Sequence, residues 1–298
     1  AVVGLGIGTL DVLINVEGAA VEAAAGRTLM PMMHAAWSVG AAAGSGIGAA
    51  CAALGIAPAG QLIGEAVLIA VTALGMASGI PLGRRGPAEP RPGDRRARIR
   101  QFARGWLDWR LLLIGVVMFG VELGEGSGNN WLTLAVRTDH GLAPAVAAIY
   151  FTTFAAGEAL ARILGGAVVD RIGRVAAIRG TTVLGVIGMV LFIVAGNSWL
   201  VLAGVLLWAV GVSMGFPLGM SAAAQSGSDP AARVSVVASI GYFANLAGPP
   251  AIGVLAESVG LLHSLWLIAA MFVVAFAAAG ALREPQPAAA EAPGERAA

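Results

Sequence analysis

Nine stretches of this chain run apolar for twenty residues or more, at about 1–22, 32–55, 59–82, 109–136, 143–169, 175–196, 198–224, 233–257 and 261–283. A helix needs about 20 mostly apolar residues to cross a bilayer. The spacing therefore predicts an all-α membrane protein with nine transmembrane helices. The rest of the composition leaves little for water to solvate: 58% of the 298 residues are hydrophobic, 12% are charged, and the mean hydropathy is +0.83. A soluble domain sits far from that balance.

Several function classes fall away on the same grounds. A formal net charge of +1 argues against nucleic-acid binding, which calls for a clustered basic excess. One cysteine, Cys51, and three dispersed histidines, His34, His140 and His263, offer neither an intrachain disulfide nor a metal site. No Ser/His/Asp set, Walker loop or metal-ligand spacing is present, and "GLGIGTLD" lacks the strand a dinucleotide loop requires. The expectation is a protein that is not an enzyme and takes no cofactor and no metal. Residues 1–10 show no signal-peptide pattern, and the first residue is not methionine.

Arginine placement tests the parse, because short cytoplasmic loops retain Arg and exported loops exclude it. The Pro/Gly-rich segment "GRRGPAEPRPGDRRARIRQFARGW" (83–106) holds the densest cluster of arginines and reads as a cytoplasmic linker between two bundles. Counting crossings from it puts "EAAAGRTL", "DRIGRVAAIR", "SDPAARVS" and the tail from Arg283 on the cytoplasmic side. The opposite loops contain only Arg137.

A repeat underlies the pattern. "GIG" at 6–8, a turn with Arg27 and a glycine ladder to Gly48 recur as Gly211, a turn with Arg233 and "GPPAIG" to Gly253. Both ends share an offset of 205 (211 − 6 and 253 − 48). Parallel repeats of this kind build transporters. Spans four to six of the chain should then have partners ahead of residue 1, about a hundred residues of them if the repeat is regular. The chain is expected to be a piece of a twelve-span protein whose first three spans precede it.

The stretch "GGAVVDRIGR" (165–174) packs three charges and three glycines after an apolar run. Gly166, four residues before Asp170, lets a neighbouring helix approach closely. Asp170 can sit at that neighbour's positive N-terminus, with Arg171 and Arg174 holding it and Gly173 permitting the turn. A plain topogenic turn is the competing reading, although charge retention alone needs no glycine.

The pattern G-x-x-x-D-R-x-G-R resembles the loop signature of the major facilitator superfamily, in the copy between spans eight and nine, and departs from it at Val175, where a further basic residue is usual. "GPPAIG" and "LDVLINVEGAAVE", with "MHAAWSVG" following, resemble bacterial inner-membrane members near the fucose:proton symporter branch. The resemblance implies that residues 1–82 are spans four to six, 83–108 the linker, 109–283 a six-helix C-terminal bundle and 284–298 a cytoplasmic tail without fixed structure. It implies a loop that stabilises one alternating-access state. In that branch a carboxylate and an Asn four residues later mark the fourth span, and Asp11 and Asn15 match the spacing.

Ionisable groups inside a membrane are functional candidates by default. Asp11, Asn15, Gly18 and Glu22 form one helical stripe. Asp11, near mid-span, is the candidate proton carrier, with hydrogen bonding inside the bundle as the alternative. Glu22 and Glu17 read as solvated at the membrane edge. Glu122 and Glu125 precede "GSGNNW" on a glycine-interrupted span, so Glu125 is a second proton-coupling candidate. Glu122, Asn129, Asn130, Trp131 and Trp37 join Asn15 as candidate cavity residues. Trp131 serves equally as an interfacial anchor, and Trp37 equally as part of close helix packing. Glu158 and Arg162, at i and i+4, read as a structural ion pair behind the loop. Gly40, Gly44, Gly48, Gly248 and Gly253 read as close helix contacts, and Pro249 with Pro250 as a kink.

Together these features predict a monomeric bacterial inner-membrane transporter that moves a small polar, sugar-like solute by proton symport. Export of amphipathic compounds by proton antiport is the alternative, and a membrane receptor or sensor a more distant one.

Overall fold

The computed structural model describes residues 2–79 and 103–284. The expected linker to residue 102 and the tail from 285 lie outside the described residues. Within the described residues the nine apolar runs are helical: α1 (Val2–Ala25), α2 (Met30–Ala53), α3 (Pro58–Gly79), α4 (Trp109–Thr138), α5 (Pro144–Ile172), α6 (Arg174–Val194), the pair α7 (Ser198–Ser213) and α8 (Gly215–Ala224), α9 (Pro230–Val259), and α10 (Leu261–Ser264) continuing into α11 (Trp266–Ala278) and a final 3₁₀ turn (Ala279–Leu282). Among the described residues six segments are long and apolar enough to span a membrane: Pro58–Met76, Trp109–Thr138, Pro144–Ile172, Arg174–Val194, Ser198–Ala224 and Leu261–Leu282.

Local chemistry sets the boundaries. Proline opens α3, α5 and α9, where its missing N–H costs nothing. Asp108, Asn197 and Asp229 cap α4, α7 and α9 by accepting backbone N–H groups of Leu111, Trp199 and Ala232. Gly173, at φ +80°, lets α5 end and α6 begin within one residue. The run 198–224 is broken at Met214. Pro217 explains the break: its ring clashes with the carbonyl four residues back and supplies no N–H, so Ser213 O is left without a helical partner.

Two units divide the chain, residues 1–35 with 101–298, and residues 36–100. In the second unit α2 approaches α3 at Gly48, where a Cβ would lie 3.2 Å from Gln61 Nε2; Gly40 and Gly44 meet no atom within 4 Å. Trp37 also belongs to this unit.

In the first unit the buried apolar residues fall into two clusters at opposite ends of the bundle. One gathers Leu111, Met118, Val169, Ile178, Val234 and Leu282. The other gathers Leu132, Phe154, Met189, Trp208, Ile252 and Phe272. Helices α4, α5, α6, α9 and α11 contribute to both, and residues between the two clusters form a middle layer. The α6–α7 crossing is backbone on backbone: a Cβ on Gly188 would meet Gly204 O at 2.7 Å and Leu207 C at 2.8 Å, and one on Gly204 would meet Phe192 N at 2.8 Å. Only glycine permits that approach.

Gly188→Ala is therefore expected to cost about 1–3 kcal/mol by overpacking, read as a lower thermal midpoint in detergent. Gly180→Ala, on the same helix but with no atom within 4 Å, is the matched control and should be near neutral. A second expectation concerns Asp108, whose carboxylate also receives Arg233 Nη2 at 2.7 Å and so ties the start of α4 to α9. Partial burial alone would raise its pKa, but the bonds from Arg233 and Leu111 outweigh it and hold the carboxyl below the usual aspartate range. A group depressed in the folded state stabilises fully above its unfolded pKa, about 3.9, and loses that contribution as pH falls through the folded value. Asp108→Ala should cost about 1 kcal/mol at neutral pH, and the gap to the native protein should close on acidification.

Candidate functional site

Four charged side chains occupy the middle layer, where α4 and α5 face each other. Arg162 of α5 is 4% exposed. It donates from Nη2 to Glu125 Oε2 of α4 at 2.7 Å, from Nη1 to Glu158 one turn back on its own helix, and from Nε to Ser213 O at 3.1 Å. That last acceptor is the carbonyl Pro217 leaves free. The proline break between α7 and α8 thus supplies part of the guanidinium's shell, and the five-donor fork of Arg is the side chain suited to such a set.

Glu122, one turn before Glu125, is 5% exposed. Its Oε2 accepts from Asn245 Nδ2 of α9 at 3.2 Å, and its Oε1 is buried without a partner. One turn from Asn245, Tyr242 donates its hydroxyl to Asp11 of α1. Asn15 donates back to Asp11 O at 2.9 Å and accepts from His34 Nε2 of α2 at 3.1 Å. Phe216 of α8 fills the space between, with ring centres 5.1 Å from His34 and 6.0 Å from Tyr242. Helix α9 thus holds Asp11 through Tyr242 and Glu122 through Asn245.

The approach of α9 to α4 depends on small residues. A Cβ on Gly241 would lie 3.3 Å from Glu122 Cγ, and one on Gly126 would lie 3.2 Å from Asn245 O. Asn245 O has no helical donor because its partner would be the absent N–H of Pro249. Trp131 Nε1 donates to Pro249 O at 3.0 Å, and a Cβ on Gly253 would lie 3.1 Å from its ring. Trp131 therefore braces the proline turn. Asn129 and Asn130 are exposed beyond the layer, and the Asn130 amide donates to Gly126 O of its own helix at 2.7 Å.

A second constellation, the latch, ties α1, α5 and α8 to the start of α2. The amides of Thr28, Leu29 and Met30 lead into α2, and two carboxylates receive them: Asp170 Oδ1 takes Thr28 N at 2.8 Å, while Glu22 Oε2 takes Leu29 N at 2.8 Å and Met30 N at 2.9 Å. Both stand at the positive end of the helix. A Cβ on Gly166 would lie 2.6 Å from Thr28 O, so the close approach expected of that glycine is present. The reading of Glu22 as a solvated edge group does not hold. It is 3% exposed, and its Oε1 accepts from Ser221 of α8 and from Arg174 Nη2 at 3.2 Å. Arg174, expected beside Asp170, instead bridges Glu22 and Gln225 Oε1, the latter at 2.9 Å, and Arg171 is exposed. A hollow of about 1010 Å³ opens at this end, rimmed by Asp170, Arg174, Arg179 and Gln225. The carboxylates Glu22 and Asp170 on its wall are already engaged by backbone amides.

Of the residues singled out in the sequence, the structure brings Glu122, Glu125, Glu158 and Arg162 into one layer and Asp11 and Asn15 into an adjoining group. It places Gly166, Asp170 and Gly173 at the latch, and Trp131, Gly248, Pro249 and Gly253 in the α4–α9 contact. Tyr242, Asn245, His34, Phe216, Ser221 and Gln225 escaped sequence reasoning. Tyr242 and Asn245 left one trace, two hydrogen-bonding side chains at i and i+3 in an otherwise apolar run.

The profile of the family described as Major Facilitator Superfamily matches residues 116–298. An uncharacterised MFS-type transporter of Yersinia pestis is 30% identical over 282 residues, covering 94% of this chain and 71% of that protein. An uncharacterised transporter of Sinorhizobium fredii is 29% identical, covering 86% and 66%, and the membrane protein MosC of Rhizobium meliloti is 27% identical, covering 91% and 64%. Among solved structures, FucP, a transporter of the same superfamily in its outward conformation, aligns with a TM-score of 0.57 at 15% identity, over 76% of this chain and 55% of FucP. That likeness concerns the fold.

The two latch carboxylates are expected to differ in weight. Asp170→Asn loses an exposed helix-terminus charge and should cost about 0.3–1 kcal/mol. Glu22→Gln removes the buried partner of Arg174, leaving it only the exposed carboxylate of Glu284 at 3.5 Å, and should cost about 3–5 kcal/mol. Thermal unfolding in detergent separates them, and equal losses would mean Glu22 is not the buried anchor.

Proposed function

Because the chain belongs to the Major Facilitator Superfamily, whose members are transporters and not enzymes, we propose that this multi-pass membrane protein moves a small polar, sugar-like solute across the bacterial inner membrane by proton-coupled alternating access. In this reading the nine helical runs are spans four to twelve of a twelve-span fold, joined by a linker at 83–108 on the cytoplasmic side, and the protein works as a monomer. Asp11 is the proton carrier, Glu125 assists it, and Asn15, Glu122, Asn129, Asn130, Trp131 and Trp37 contribute to the solute path.

The observation that carries the reading is the double engagement of α9. Tyr242 holds Asp11 of the N-terminal segment, and Asn245, one turn away, holds Glu122 of the C-terminal bundle. A change in the charge of Asp11 alters what Tyr242 bonds, and so biases the position of a helix that also covers the middle layer. The loop at Gly166–Arg174 supplies the second requirement, a reversible closure. Its bonds are made to the N-terminus of α2, so they vanish when the two segments part. With that loop on the cytoplasmic side, these bonds hold that side together in the conformation described.

The test is flux in liposomes holding a pH-sensitive dye, with the protein expressed from its complete gene and a panel of sugars and other small polar solutes added outside. Solute-driven proton movement is expected, and Asp11→Asn should abolish it. Tyr242→Phe keeps the ring and deletes a hydrogen bond to a charged acceptor, about 1.5–3 kcal/mol, so coupled uptake should fall by about tenfold or more. Unchanged uptake and pH dependence in Asp11→Asn would remove that residue from the mechanism. Solute-dependent thermal stabilisation without flux would turn the reading to a receptor.

A further inference from the structure

We infer that Glu122 is a second proton-binding site, carrying a proton in the conformation described here and releasing it when α9 withdraws. The inference rests on the transport reading above and deepens it.

Charge and space single out Glu122. Three carboxylates, Glu122, Glu125 and Glu158, share the middle layer with one guanidinium, Arg162. Arg162 donates to Glu125, Glu158 and Ser213 O. Glu122 receives only the neutral amide of Asn245, on Oε2. Its Oε1 is buried and meets no donor. An ionised carboxylate so placed has lost its water, has no cation of its own and faces two like charges, a combination membrane interiors do not tolerate uncompensated.

The surroundings identify the compensating cation. Facing Glu122 are Glu125 on its own helix, Glu158 and Arg162 on α5, and Asn245 and Tyr242 on α9, the last with Asp11 behind it. His34 of α2 is within electrostatic reach of Arg162. Where α11 packs on α4 it presents Met271, Phe272 and Ala275, and α8 presents Phe216, none of them titratable. A metal ion needs a shell of several ligands, and among the described residues no group of three ligating side chains could hold one. An amine-bearing solute would need open surface at Oε1, which is buried. A proton needs neither ligands nor room. It forms an O–H bond on Oε1, breaks nothing else and leaves to water by the same route.

The cover over the site can move. Gly241 lies over the Glu122 side chain, Asn245 bonds it, and Pro249 and Pro250 deprive this part of α9 of two backbone hydrogen bonds. Withdrawal of α9 would remove the Asn245 amide and admit water together. Tyr242 releases Asp11 in the same movement, so the two carboxylates exchange protons in one step of the cycle.

The test reads the proton directly. In the purified protein at neutral pH, infrared spectroscopy in H2O and D2O should show a deuterium-sensitive carboxylic-acid C=O band. Glu122→Gln should remove that band and Asp11→Asn should keep it. Asn245→Ala, which spares the carboxyl but deletes its hydrogen bond, should keep the band and shift its frequency, and this variant decides the matter if Glu122→Gln does not fold. In liposomes, Glu122→Gln should halve the protons moved per solute, whereas Asp11→Asn abolishes proton movement. A band unchanged in Glu122→Gln, or unshifted in Asn245→Ala, overturns the inference even if Asp11→Asn behaves as expected. Loss of the band in Glu122→Gln with normal coupling in Asp11→Asn would keep Glu122 and retire Asp11.

Discussion

The buried guanidinium of Arg162 organises the centre of the molecule. A charge there is stable only while its donors are matched, and each acceptor comes at a structural condition. Glu158 must stand one turn away on the same helix, Glu125 must face it across the α4–α5 contact, and Ser213 must offer a carbonyl outside any helical ladder. The last condition requires Pro217, so the break between α7 and α8 belongs to the site as much as the carboxylates do. The two apolar clusters lie on either side of this layer. They exclude water from it, which strengthens its pairings and makes any unmatched charge expensive.

The latch end applies the same physics with a different partner. There the positive element is the N-terminus of α2, three consecutive amides that no helix can satisfy internally. Asp170 and Glu22 satisfy them from opposite sides, and Arg174 with Ser221 balances what remains of Glu22. An end cap made of backbone amides holds firmly while docked and dissolves without breaking any side chain's internal structure, a property suited to an element that must open.

How legible this was depended on sequence distance. The helical runs could be read because hydrocarbon thickness sets their length, whatever they pack against. Gly166 and Asp170 could be read because the motif lies within one turn and its partner is backbone, which every helix start provides. Glu158 with Arg162 followed from i,i+4 geometry. Glu22 was misread: its neighbours Arg27 and Thr28 suggest solvent, while the partners that bury it, Arg174 and Ser221, lie 152 and 199 residues away. Tyr242 and Asp11 are 231 residues apart, Asn245 and Glu122 are 123. No local pattern encodes such pairs, and only the packing of α9 between α1 and α4 brings them together.

That packing also gives weight to the two prolines inside α9. Two prolines in mid-helix leave Asn245 O and Leu246 O without donors, a defect that a static bundle would gain from removing. Here the defect is covered and not removed: Gly126 lets α4 pass over Asn245 O, and Trp131 bonds Pro249 O. Both contacts come from α4, the helix that carries Glu122 and Glu125. Any rearrangement that shifts charge on those carboxylates therefore acts on the helix that braces the proline turn, and movement of the turn acts back on the carboxylates. The coupling is reciprocal because both effects pass through the same α4–α9 contact.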